Sequence, residues 1–312
     1  MNPRGIQRAI WNETAIGKDP DAVDRWYFGH ETCATRAIAS LTNSVTVGDG
    51  IPCTFVSPCF VSDSDMVSIL RRVEALGKSM PVDEIVCNDW GMVETVGRNG
   101  IARPVLGRLL SGQITDPRVA RWPEGSCPSG RTTPIRLPDG KLGVLRGRPI
   151  PAELAERIRS IPSADASFLD WLARLGVRRI EFSNVLQGLS LPASLQASAT
   201  LHCSDVVVSV SRTCRPHPDG ELRSPGFPVP LQAIDNVLRY RSGILHPGSD
   251  HPAIDRLVFR SSVNAPCNPT CTNFTTQESP LDATGTCPEG IWDGSHPTEH
   301  PWQRTQPENR KP

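Results

Sequence analysis

From Ser44 onward the chain alternates short β-branched runs with stretches of helical periodicity. SVTVG (44–48) and IPCTFVS (51–57) have the composition of strands. Ser62-Asp63-Ser64-Asp65 then supplies a helix start. In MVSILRRVEALG, Met66, Ile69, Leu70, Val73 and Leu76 recur on one helical face, and Gly77 ends the run. DEIVCNDWG carries Ile85, Val86 and Cys87 as a buried-strand core running into a polar loop, and ARPVLGRLLS gives the next apolar run. Pro151 suits the first turn of a helix over PAELAERIRS, and SFLDWLARLG continues with Phe168, Leu169, Trp171, Leu172 and Leu175 on an apolar stripe. VRRIEFSN, SATLHCSD and VVVSVSRTC read as further strands, PLQAIDNVLRY as a helix and DRLVF as a last strand.

Strand, helix and strand following one another in this way predict a parallel sheet with covering helices. The expected class is α/β and TIM-barrel-like, complete or short of a full turn, over residues 44–260. Residues 1–43 are polar and aperiodic apart from Trp26-Tyr27-Phe28, and read as a loosely packed leader. Residues from about 111 to 150 form a long insert rich in Arg, Pro and Gly, with a strong turn at Pro138-Asp139-Gly140. Residues 261–312 are poor in apolar side chains and rich in proline, so they read as a disordered tail.

Composition narrows the function classes. A chain of 312 residues can bury a core without disulfide staples. Lys plus Arg equals Asp plus Glu at 33 each, so the whole chain lacks the field of a nucleic-acid or anionic-membrane binder, and only a local basic patch remains open. The opening MNPRGIQRAIWNET has no apolar core of a signal peptide, and no run of about 18 apolar residues occurs. The expectation is a cytoplasmic protein without membrane partners, whose ten cysteines are thiols or metal ligands rather than a disulfide framework.

Several local patterns bear on chemistry. Gly77-Lys78-Ser79 lacks the glycine that a phosphate loop needs five positions earlier, where Arg72 stands, and it ends a helix rather than opening one. Asn88, Asp89 and Trp90 follow a buried strand, the place where α/β barrels carry their chemistry. Asp89 is a candidate acid or base and Asn88 and Trp90 candidate substrate contacts; the plainer role is a helix cap at Asp89 with Trp90 packed on the rim. Glu181 ends a similar strand as a candidate general base, with Asn184 and Gln187 as substrate contacts; the plainer role is a buried carboxylate held by an arginine. Arg108 belongs to an arginine-rich stretch that continues through the insert and suits an anion, an RNA backbone or simple solvation. Cys203 and Cys214 flank a strand beside His202 and His217, a possible zinc set, and Cys267 and Cys271 form the closest cysteine pair.

VCNDWG, RPVLGRLL with ITDPR, VRRIEFSNVLQGL and VVVSVSRTC, in that order, resemble the collagenase-like peptidase family, number thirty-two of the peptidases of unassigned catalytic type. The resemblance spans roughly residues 51 to 260. It implies a TIM-barrel-like domain and an iron–sulfur-dependent, oxygen-independent hydroxylation or related redox role on a small molecule or an RNA base. It also implies that Cys214 ligates a [4Fe-4S] cluster. Residues 215 to 257 contain no cysteine, so the remaining ligands would fall to thiols such as Cys203, Cys267 and Cys271. Two other roles stay open: a cluster-free binding subunit of a related family member, docking through the arginine-rich insert, and a peptidase as the family name suggests. No serine, cysteine or metal-protease arrangement supports the last.

Overall fold

The computed structural model describes residues 5–12, 23–42, 50–59, 61–121, 132–136, 141–146, 151–162, 165–211, 220–222, 227–234, 236–242, 245–246 and 249–260. Its centre is a closed parallel barrel of eight strands. They are β1 (Gln7–Trp11), β2 (Arg25–Gly29), β3 (Cys53–Val56), β4 (Val82–Cys87), β5 (Arg103–Leu106), β8 (Arg179–Ser183), β9 (Ser198–His202) and β14 (Ile254–Arg260). Each pairs with the next in that order, and β14 returns to β1. Helices cover the outside: α1 (Ala34–Thr42), α2 (Asp63–Leu76), α3 (Trp90–Asn99), α4 (Ala152–Arg159) and α5 (Ala166–Arg174). The TIM-barrel-like class is therefore present, and the barrel is complete.

Local chemistry sets the helix boundaries. Ser62 caps α2 by accepting from the Asp65 amide, with Asp63 and Asp65 in the positive first turn. Asp165 caps α5 through the Ser167 and Phe168 amides. Gly100 ends α3 at φ +62°, and its amide bonds to Val96.

Along the strands, side chains alternate between the helix layer and the lumen. Trp26, Phe28, Phe55, Ile85, Cys87, Leu106, Ile180, Phe182 and Leu201 join the main core under the helices. Ala9, Trp11, Tyr27, Val56, Val86, Val105 and Val258 form a second apolar cluster, and the lumen also holds charge. Toward the N-terminal ends, Arg256 donates to Glu84 at 2.6 Å and to the Tyr27 hydroxyl at 2.9 Å, and Arg25 donates to Thr54 at 3.0 Å and to Asp83. Arg179 bridges to Asp255 at the same end. Burial pushes the Glu84 carboxyl up, but hydrogen bonds and charge from Arg256, with Arg25 and Arg179, outweigh it and hold the group below its usual range. Asp83 is depressed likewise, with Arg25 and Arg103 overcoming burial.

Three sequence expectations need correction. The stretch read as a loose leader supplies β1, β2 and α1, and Arg25 to Gly29 is buried throughout. Both strands are short, and β1 carries glutamine and arginine whose side-chain partners, Arg256 and Phe259, come from β14, so β1 shows no local apolar alternation. PLQAIDNVLRY is a hairpin, β12 (Leu231–Ile234) and β13 (Val237–Arg241), rather than a helix. Asn236 at its turn donates to the carbonyls of Thr32 and Ser211, tertiary bonds that override helical periodicity. The VVVSVS run, β10 (Asp205–Val210), leaves the barrel to form an antiparallel sheet with β13, β12 and β11 (Gly220–Leu222). Part of the insert forms a hairpin of β6 (Thr132–Arg136) and β7 (Leu142–Arg146). SVTVG and the segment beyond residue 260 lie outside the described residues. Among the described residues no helix is long and apolar enough to cross a membrane.

Removing one member of the buried Glu84–Arg256 pair leaves the other charged and uncompensated. Glu84→Gln is expected to lower unfolding free energy by about 3–5 kcal/mol in denaturant titrations. Because the Asp83 and Glu84 carboxyls are depressed in the folded state, their stabilisation is complete above the unfolded carboxylate range and is lost as pH falls through the lower folded values. Thermal melts from neutral to acid pH should show this drop in the wild type and a shallower one in Glu84→Gln.

Candidate functional site

The carboxyl ends of the barrel strands converge on a charged mouth. Gly29 ends β2 at φ +105°, where a Cβ would lie 2.3 Å from the Val56 carbonyl oxygen, so only glycine turns the chain here. The turn delivers His30 and Glu31 to the mouth, the His30 amide bonding to Val56 at 3.1 Å. Glu31 receives a bidentate pair from Arg108, just past β5: Nε to Oε2 at 2.9 Å and Nη2 to Oε1 at 2.7 Å. Arg108 also donates to the Asp205 carbonyl at 2.6 Å. The Asp205 carboxylate takes Arg260 at 2.7 Å and Arg239 at 3.3 Å. The Trp11 ring lies under this layer, with the Arg260 guanidinium 4.5 Å from its centroid and its indole N–H donating to the Gly29 carbonyl.

Burial works against the charge on Arg108, whose side chain is 1% exposed, and Glu31 and Asp205 more than offset it, so its pKa is raised. Arg260 goes the other way: burial lowers it to about 10. His30 is pushed down to about 4 by burial and then by Arg36 and Arg239, which keeps the imidazole neutral. Its Nδ1 accepts from the Thr32 and Cys33 amides, ahead of α1.

Below Trp11, Glu181 and His202 meet inside the lumen. Their Oε2 and Nε2 atoms stand 2.8 Å apart, and the side chains are 1% and 3% exposed. Trp11 and Tyr27 both meet the imidazole edge-on, at 5.8 and 6.3 Å between centroids. Oε1 of Glu181 is buried without a hydrogen-bond partner among the described residues. Burial, then the Glu181 charge, raises the pKa of Tyr27. A carboxylate with one engaged and one unengaged oxygen beside an imidazole can take up or release a proton.

The other sequence candidates divide. Asn88 lies at the mouth beside Ser57, donating to its carbonyl at 2.9 Å, and its Oδ1 crowds Gly107 so closely that a Cβ there would sit 2.1 Å away. Asp89 caps α3 by accepting from the Gly91 and Met92 amides. Trp90 is 42% exposed and packs on Phe168 and Trp171 at the outer helices. Asn184 holds Ser242 and His246, donating to Ser242 Oγ at 2.7 Å and accepting the His246 amide at 3.0 Å. Gln187 donates to the Ile114 carbonyl at 2.6 Å. Beside it, β5 and β8 pair at one position only, and the Gln113 amide group fills the gap with two 2.8 Å bonds to the Ser183 backbone.

Cys203 is buried at the end of β9, its thiol directed at the Leu201 carbonyl; Cys214, Cys267, Cys271 and His217 lie outside the described residues. No group of three or more His, Cys, Asp or Glu side chains is arranged to hold a metal among the described residues. Sequence reasoning passed over Glu31, Asp205, Arg260 and Trp11 and weighed His202 only as a zinc ligand. SATLHCSD has the same strand-then-polar form as RIEFSN, and that form could have marked His202 and Asp205.

Fold and site together define an α/β barrel protein with a buried Glu–His contact in its lumen and a layer of paired charges at its mouth. No protein-family model, curated protein or solved structure matches the chain.

The Asn88–Gly107 contact gives a direct check on the mouth's geometry. Gly107→Ala forces Cβ into Asn88 Oδ1, and the Cys87 carbonyl is 2.9 Å away on the other side. A loss of about 1–3 kcal/mol in chemical denaturation is expected, partly relieved in the Asn88→Ala, Gly107→Ala double variant.

Proposed function

We propose that this chain is a barrel enzyme acting at the C-terminal mouth, with Glu181 and His202 as its proton-transfer pair. The observation that carries this reading is the buried, unpartnered Oε1 of Glu181 beside the His202 imidazole. A carboxylate confined to a structural role normally has both oxygens engaged. The position adds support, because barrel enzymes work at the carboxyl ends of their strands. The resemblance to the collagenase-like peptidase family supplies the reaction class: oxygen-independent hydroxylation, or a related redox step, on a small ring compound or an RNA base. In such a reaction water supplies the oxygen, a separate two-electron acceptor takes the electrons as C–H becomes C–OH, and Glu181 and His202 take up the protons released.

A [4Fe-4S] cluster is part of what that resemblance implies. Among the described residues, the thiols offered to it are Cys33, just ahead of α1, and Cys203, which faces a backbone carbonyl, and His202 is engaged by Glu181. The described side chains do not form a ligand set by themselves.

A second reading has its own observation. Arg108 is engaged through all three of its nitrogens by Glu31 and the Asp205 carbonyl, which suits a closed, structural mouth and a cluster-free subunit that binds a related partner.

The two readings separate in cells. A gene deletion is complemented with wild type, Glu181→Gln or His202→Phe, and small-molecule and RNA pools are compared by mass spectrometry. The enzyme reading expects a species bearing one added oxygen to vanish in the deletion, return with wild type, and fall by about 10²-fold or more with either folded variant. Full restoration by both variants would remove the acid–base role, and an unchanged pool in the deletion would leave the binding subunit.

A further inference from the structure

The barrel lumen holds a hydrogen-bond donor and an acceptor that complement each other. The Tyr27 hydroxyl accepts from Arg256 Nη1 at 2.9 Å. A guanidinium only donates, so the hydroxyl's own proton is left for another acceptor. Glu84, in the same network, is already taken: Oε2 accepts from Thr54 and Arg256, and Oε1 from Arg256. Oε1 of Glu181 is buried and has no hydrogen-bond partner among the described residues. Both side chains are buried, so bulk solvent does not serve either group.

Both groups contact one imidazole. Glu181 Oε2 is 2.8 Å from His202 Nε2, and the Tyr27 ring meets the same imidazole edge-on, with 6.3 Å between centroids. Burial acts most strongly on the Tyr27 hydroxyl, and the Glu181 charge comes next, ahead of Arg256 and Glu84. No hydrogen bond joins the two residues directly. A separation that is felt electrostatically yet is too long for a direct bond is the span that one bridging water covers. Buried polar groups that the protein leaves unpaired are ordinarily completed by such a water.

We propose that the lumen binds one ordered water between Tyr27 Oη and Glu181 Oε1, which accepts the tyrosine proton and donates to the carboxylate. Arg256 fixes the polarity of the site, because its bond to the hydroxyl leaves Tyr27 a single proton to direct at the water. Tyr27 is then a positioning residue for Glu181: through the water it holds Oε1 in place while Oε2 engages His202. The role of the site in chemistry rests on the reading of Glu181 and His202 as the proton-transfer pair, since an Oε1 that holds a water is open to proton exchange.

High-resolution crystal structures of the full chain, as wild type and as Tyr27→Phe, test the site without requiring turnover. Water density within hydrogen-bond reach of both oxygens is expected in the wild type and lost in Tyr27→Phe, with the Glu181–His202 contact kept. In solution, nuclear Overhauser transfer from a long-lived water to the Tyr27 ring protons is expected in the wild type. That measurement needs no variant, so it stands if Tyr27→Phe folds poorly. A direct Tyr27–Glu181 hydrogen bond, no water between the two oxygens, or the same water in folded Tyr27→Phe would overturn the site. A water found there, with cellular pools restored by both Glu181→Gln and His202→Phe, keeps the site and removes the proton-transfer reading. No water, with pools lost in those variants, does the reverse, so the two failures are distinguishable.

Discussion

Charge inside a closed barrel must be matched within the barrel, and most of this structure follows from that requirement. An unpaired ion in the lumen would cost several kcal/mol even after relaxation. The chain meets the constraint at both ends. At the amino end, Glu84 is shared among Arg256, Arg25 and Arg179, with Tyr27 completing the set. At the carboxyl end, Glu31 and Asp205 bind Arg108, Arg239 and Arg260. Because the partners come from strands far apart in sequence, neither set can form until the barrel closes, and pairing and closure reinforce each other.

Between the two charged layers lies a less polar band of Ala9, Val56, Val86, Val105 and Val258, and Glu181 with His202 is the exception within the lumen. The amino-end network is nearly complete in its hydrogen bonding, which suits a structural plug. The Glu181 carboxylate is half engaged, and Trp11 touches both its partner His202 and Arg260 of the mouth. The asymmetry between the two ends matches the division of labour in α/β barrels, where the amino face stabilises and the carboxyl face carries chemistry.

Much of the scaffold was legible in the sequence. The starts of α2 and α5, the buried runs of β4 and β8, and the β, α, β order each rest on local signals: a capping side chain, an apolar stripe, a short β-branched run. Where reading failed, the missing information was not local. β1 carries Gln7 and β2 carries Arg25, and nothing near them in sequence marks those side chains as partners of β14 and β4. The segment from Leu231 to Arg241 has apolar residues at helical spacing, yet it pairs with β10 and is pinned at Asn236 to residues near 32 and 211.

The candidate site divides on the same line. The sequence by itself determined that Asn88, Asp89 and Asn184 follow strands and that Glu181 lies within one, because strand periodicity and the following polar residue are written locally. Only the tertiary structure decided their work. Asp89 became a helix cap, Asn184 a tether for Ser242 and His246, and Glu181 the partner of His202 rather than of an arginine. Barrel closure also brought Glu31 from the presumed leader to Arg108, 77 residues away, and Arg260 to Trp11 at the opposite end of the chain. Contacts of that sequence separation are set by strand order and register, which no local pattern encodes.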